Sequence, residues 1–100
     1  MEYIFRSNGW YFGFAKDGSL FSRDGEYLGW IEGKFVWDAT GKFRGAILEK
    51  NNNKYIVRDR FSMPPVTRPP KPKVDPMIPP TPTPSNIQPI DLPVQLADAF

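Results

Sequence analysis

The sequence predicts an all-β fold: an antiparallel meander of about seven short strands, built from 16-residue hairpin repeats in a closed or nearly closed ring, followed by a proline-rich C-terminal arm. Three observations predict it. A segment of the pattern turn residue, Gly, any, aromatic, any, Gly recurs every 16 residues: Asn8-Gly9-Trp10-Tyr11-Phe12-Gly13, Asp24-Gly25-Glu26-Tyr27-Leu28-Gly29 and Thr40-Gly41-Lys42-Phe43-Arg44-Gly45. Two-residue turn signals punctuate runs rich in aromatic and β-branched residues, with no helical period before residue 62. Finally, all eight glycines lie at or before Gly45 and all twelve prolines at or after Pro64, so the chain divides into a hairpin-repeat domain, residues 1–62, and an arm, residues 63–100.

The strands follow in order as Tyr3–Arg6, Trp10–Ala15, Leu20–Ser22, Glu26–Glu32, Lys34–Asp38, Lys42–Leu48 and Lys54–Asp59. Asn8-Gly9, Asp17-Gly18, Asp24-Gly25, Glu32-Gly33 and Thr40-Gly41 separate them. Asn-Gly and Asp-Gly predict type I′ turns, because both central residues need φ > 0, which Gly adopts freely and Asn or Asp tolerates. Asn51-Asn52-Asn53 keeps the same chemistry in the sixth connection. The register holds upstream: Ile4, Leu20 and Val36 align, as do Phe5, Phe21 and Trp37. Lys54–Asp59 resembles Lys34–Asp38 and begins a fourth unit that has no turn-Gly segment of its own. Closing a ring of three and a half such units removes the exposed sheet edges.

Strict alternation along a strand puts Tyr11, Gly13 and Ala15 on one face, with Tyr27, Gly29, Ile31 and Phe43, Gly45, Ile47 in the later units. This repeating face is the expected core, and Gly13, Gly29 and Gly45 are expected where neighbouring backbones crowd together. The opposite face carries Trp10, Phe12 and Phe14, then Leu28 and Trp30 between Glu26 and Glu32, then Lys42, Arg44, Ala46 and Leu48. It is apolar in the first unit and charged by the third, so a covered patch is expected there. Trp10, Phe12, Phe14 and Trp30, with Leu96 and Phe100 at the tip of the arm, form the candidate interaction surface.

The three superposed turn-Gly-x-aromatic-x-Gly segments resemble the small bacterial family called the 4-fold β-flower proteins, over roughly residues 3 to 60. The resemblance implies four hairpin petals about a pseudo-fourfold axis, within one chain or between chains, and no established activity. The membrane-occupation repeats share the echo in Tyr11-Phe12-Gly13-Phe14 and Tyr27-Leu28-Gly29-Trp30, but their units are longer than 16 residues.

From Pro64 to Pro93 the arm reads as polyproline II and turns, since proline fixes φ and lacks a backbone donor. It reads first as a solvated linker or semi-rigid spacer. A second reading packs it on the core through Met63, Val66, Val74, Met77 and Ile78, and a third makes Pro69-x-x-Pro72, beside Lys71 and Lys73, a ligand for a proline-recognition domain. Asp91 to Phe100 is expected to form one or two helical turns, with Asp91 as N-cap and Pro93 in the first turn. That apolar tip would dock on its own core, a sister chain or another protein.

The chain has no Cys and no His, which removes disulfides, thiolates and the commonest general base and metal ligand. Glu26 and Glu32, six residues apart on one strand, stand about 20 Å apart, too far for a glycosidase pair. No phosphate loop, serine elbow or dense oxygen-ligand loop is present. No enzyme activity, metal or cofactor is therefore expected. Net charge is +2, carried by ten Lys/Arg against eight Asp/Glu in residues 1–62, too weak a bias to argue for nucleic acid. Lys34, Lys42, Arg44 and Arg58 beside Phe35 and Trp37 raise single-stranded nucleic acid or a small ligand on an aromatic sheet face as the alternative. The first residues lack a secretory pattern and no apolar run nears the ~20 residues of a membrane span, so a cytoplasmic location without membrane attachment is expected. The reading is a non-enzymatic structural or protein-interaction module, able to self-associate or form an oligomer.

Overall fold

A computed structural model describes residues 1–59, 68–72, 74–80 and 83–100. It is all-β among those residues, with strands β1 (Glu2–Phe5), β2 (Tyr11–Lys16), β3 (Ser19–Ser22), β4 (Tyr27–Glu32), β5 (Phe35–Asp38), β6 (Phe43–Lys50), β7 (Asn53–Asp59) and β8 (Leu96–Asp98). Consecutive strands pair antiparallel, and β1 also pairs parallel with β7, which closes the first seven into a ring. The molecule is a disc of 36 × 35 × 18 Å.

The repeat unit is a strand, a turn and a bulged return strand. Arg6, Ser22 and Asp38 each open the turn: the amides of Gly9, Gly25 and Gly41 donate to their carbonyls at 2.8, 2.9 and 3.0 Å. Their own amides donate to the carbonyls of Trp10, Glu26 and Lys42. Only the glycine of each turn has positive φ, between 86° and 89°. These are therefore not the expected type I′ turns. They are longer turns closed by a left-handed glycine bulge. The expected form, with both φ positive, occurs at the opposite hairpin ends Asp17-Gly18 and Asn51-Asn52, whereas between β4 and β5 only Gly33 has positive φ.

A second bulge resets the faces. Ile4 pairs with Gly13 but Phe5 with Tyr11, so Phe12 is an extra residue, and Leu28 and Arg44 are extra in the same way. Alternation breaks at each bulge. The expected core face is corrected accordingly: Tyr11 packs peripherally with Phe5, whereas Phe12 joins the centre with Ala15. The central cluster takes one aliphatic residue from each unit, namely Ile4, Leu20, Val36 and Ile56, all fully buried. Around it, cross-strand partners Phe14 and Phe21 stack at 5.2 Å, and Trp30 and Trp37 at 6.3 Å.

The in-strand glycines stand where the units touch. A Cβ on Gly13, Gly29 or Gly45 would lie 2.1, 2.0 or 2.1 Å from the carbonyl oxygen of Phe21, Trp37 or Val57. Those three carbonyls occupy one repeat position. Strand thus meets strand through bare backbone, as the crowding argument expects.

Candidate interaction surface

The arm meets the ring at the repeat turns. The amides of Arg68, Met77 and Ile87 donate to the carbonyls of Gly41, Gly25 and Gly9 at 2.9, 2.9 and 2.8 Å. A Cβ on those glycines would lie 1.8 to 1.9 Å from the carbonyl oxygens of the same three arm residues. Gly9, Gly25 and Gly41 are accordingly buried, while Gly18 and Gly33 at the opposite hairpin ends are exposed. Each arm contact has proline two residues on, at Pro70, Pro79 and Pro89. The order runs backwards, from the third unit to the first.

Between these points the arm covers the peripheral aromatics. Val74 and Met77 pack on Phe14, Phe21 and Tyr27; Ile87, Ile90 and Leu92 pack on Phe5, Tyr11, Tyr55 and Val57. Arg68 lies over Trp37 at 4.6 Å and Lys71 over Trp30 at 5.2 Å, and Glu32 holds both cations at 3.0 and 3.4 Å. Of the arm residues expected to pack, Val74 and Met77 do, Ile78 is 91% exposed, and Met63 and Val66 fall outside the described residues. The 62/63 division lies there too.

The arm ends in the unfinished fourth unit. The expected helix over Asp91–Phe100 is replaced by a turn closed by the Leu96 amide on the Pro93 carbonyl, and then by β8. With Pro93 leaving so few residues to satisfy a helix, the open edge of β7 offers the better hydrogen bonds. Val57, Arg58 and Asp59 pair with Asp98, Ala97 and Leu96. The Ala99 amide reaches the Ile56 carbonyl, so Ala99 faces Ile56 as Gly13, Gly29 and Gly45 face Ile4, Leu20 and Val36. It is fully buried in the central cluster. The Asp98 carboxylate accepts from the Ser7 amide at 2.8 Å and the Ser7 hydroxyl at 2.9 Å. The Phe100 ring lies 4.2 Å from the Arg44 guanidinium and 5.8 Å from the Phe12 ring, and its carbonyl accepts from Arg6 at 3.2 Å.

The six residues of the expected surface therefore separate. Trp10 is open, at 61% exposure. Phe14 and Trp30 are not surface residues, at 1% and 3%: each stacks on the next unit's aromatic and is roofed by the arm. Phe12, Leu96 and Phe100 are half-buried around the fourth unit. Sequence reasoning missed Ala99, although Ala99-Phe100 repeats the small-then-aromatic step of Gly13-Phe14 and Gly29-Trp30.

One cavity follows from a break in the repeat. The cross-strand pair that is Phe14–Phe21 and then Trp30–Trp37 becomes Ala46–Val57 in the third interval. A largely apolar pocket of about 380 Å³ lies there, lined by Phe35, Phe43, Ala46, Leu48, Val57 and Leu96 among others.

The ionisable groups serve the scaffold. Burial raises the Asp38 pKa, but hydrogen bonds from the Thr40 hydroxyl, the Lys42 and Thr40 amides and Arg44 outweigh it and hold the carboxyl below its ordinary value. Burial pushes the Tyr27 phenol up; burial and then Tyr3 raise Tyr11 against the opposing Arg23, so neither phenol is primed to ionise. Among the described residues, no three acidic groups gather to hold a metal, and no helix is long and apolar enough to cross a membrane.

The model of the 4-fold beta flower protein family matches residues 1–94, and the chain belongs to that family. No curated protein and no solved structure matches it.

Proposed function

We propose that this 4-fold beta flower chain is a non-enzymatic protein-interaction module whose arm belts its own ring and leaves selected surfaces open to partners. The single observation that carries the reading is the threefold arm contact. Arg68, Met77 and Ile87 each donate one backbone hydrogen bond to the turn glycine of a different unit. An arm that served only as a spacer would not repeat one backbone geometry at three sites. Extended polyproline suits the task. It spans about 28 Å in nine residues, within the 36 × 35 Å face of the disc. Of the two aromatics that would have stacked nucleic-acid bases, Trp37 is buried beneath Arg68, while Phe35 stays 40% exposed under its own neighbour Lys34. Trp10 remains as an exposed aromatic, the residue type that anchors protein interfaces.

The test compares the solution mass and melting of the full chain with a chain ending at Ser62. The belt reading requires the shorter chain to melt far lower or to associate through its uncovered aromatics. A shorter chain that is monomeric and melts identically would end it.

The pocket at Ala46 and Val57 favours a second reading, a small apolar ligand in the broken interval of the repeat. Its volume is in the range of ligand sites. An apolar fluorophore should brighten with the full chain and lose that signal with Ala46→Phe. Equal brightening by both would remove the pocket as the site.

A further inference from the structure

We propose that the fourth unit is a strand-acceptor site for an extended peptide of the pattern aliphatic-Ala-Asp-Ala-aromatic, and that the 96–100 segment of a second copy can occupy it in place of the chain's own. The inference rests on the interaction-module reading and names the partner chemistry. The first three units each make their own return strand, β2, β4 and β6. The fourth does not. β7 presents its edge, and the strand that completes it arrives from the far end of the arm.

The slot has features that discriminate among peptides. Ser7 turns two donors, its amide and its hydroxyl, onto one carboxylate, that of Asp98. Charge-assisted bonds of this kind are the stronger ones, and losing the carboxylate strands both donors. The next position is fully buried against Ile56, where the other units carry glycine, so only a very small side chain fits. The third is an aromatic that lies on the Arg44 guanidinium beside Phe12, with Arg6 holding its carbonyl. A backbone ladder supplies affinity and these pockets supply selectivity, as in other strand-addition sites.

Occupancy in cis is favoured by the tether, which holds the segment at an effective concentration of about 1 mM. Exchange is open because β8 pairs over only three residues. A second copy brings the same pattern and the same contacts, so it competes once its concentration approaches that of the tethered strand.

The probe is an amidated, fluorescein-labelled peptide of residues 93–100, titrated into full-length Ala99→Lys. That variant keeps Ser7, Arg6, Arg44 and Phe12 but expels its own strand. The peptide should bind it at least tenfold more tightly than it binds the unaltered chain. A peptide carrying Asp98→Ala should bind at least tenfold more weakly. If Ala99→Lys does not fold, full-length Asp98→Ala/Phe100→Ala replaces it with the same expectations. No binding to a cooperatively melting variant, or equal binding of the two peptides, overturns the acceptor site. Such a result leaves the belt reading intact, because the three turn contacts are untouched. For the second-copy occupant, the unaltered chain refolded from urea at about 1 mM should yield a dimer by light scattering that Ala99→Lys does not form. A monomer there overturns that occupant.

Discussion

Gly25→Ala should cost far more than Gly33→Ala, although both glycines have positive φ, +89° and +61°. Placing an L-residue in left-handed backbone costs about 1–2 kcal/mol at either site. At Gly33 nothing lies within 4 Å of the new Cβ, so the conformational term is the whole cost. At Gly25 the Cβ would lie 1.8 Å from the Met77 carbonyl oxygen and 3.0 Å from its carbon. Ordinary contact needs about 3.5 Å, so the arm must withdraw by more than an ångström. The Met77 amide to Gly25 carbonyl bond, 2.9 Å long, then breaks, a loss of about 1 kcal/mol. Met77 and Val74 lift from Phe14, Phe21 and Tyr27. Exposing part of that surface adds about 1–2 kcal/mol, since one buried aliphatic side chain is worth about 1.5–3. The sum is about 3–5 kcal/mol for Gly25→Ala against about 1–2 for Gly33→Ala. Urea unfolding followed by tryptophan emission reads both values. Equal midpoints for the two variants would mean that arm docking contributes nothing to stability, and the belt would be wrong.

Gly29→Ala puts a Cβ 2.0 Å from the Trp37 carbonyl oxygen, backbone against backbone. It should destabilise by about 3 kcal/mol or more, measurable as a lowered urea midpoint. Asp38→Asn tests the turn carboxylate. Because its folded pKa lies below the ordinary 3.8, its stabilisation is complete above that value and fades as pH falls through the lower folded pKa. The variant should lose about 1–2 kcal/mol at pH 7, with the gap to the unaltered chain closing below about pH 4 in melts run across the acid range. Ala46→Phe rebuilds the aromatic pair in the interval where Ala46 faces Val57. It should raise stability by about 0.5–2 kcal/mol by filling the pocket, seen as a higher melting temperature.

How much of this was legible follows from what the physics makes local. A turn glycine takes its positive φ inside one hairpin and an in-strand glycine meets a neighbouring strand, so a 16-residue spacing exposes both. It does not expose the distant arm contact that the turn glycines also make. The bulges at Phe12, Leu28 and Arg44 are equally regular, but a strict two-residue alternation cannot register an inserted residue. Tyr11 and Phe12 therefore exchanged faces in the reading from sequence. Phe14 and Trp30 looked exposed for a different reason: the residues that cover them stand some 40 to 60 positions away in an arm that has no strand or helix period to betray it.

The arm nevertheless carries a period of its own. Its docking residues are Arg68, Met77 and Ile87, nine and ten apart, each with proline two places on. An extended chain suits that spacing. At about 3.1 Å per residue a polyproline segment crosses some 28–31 Å in nine or ten residues, whereas a helix of equal length would cover about 15 Å. Proline has no amide donor, while Arg68, Met77 and Ile87, at the contacts, are not prolines and keep theirs. A sequence with prolines at the three contact positions would be as proline-rich and as extended, yet it would have no amide to give Gly41, Gly25 or Gly9. Composition defines an arm; the placement of its non-proline residues defines a belt.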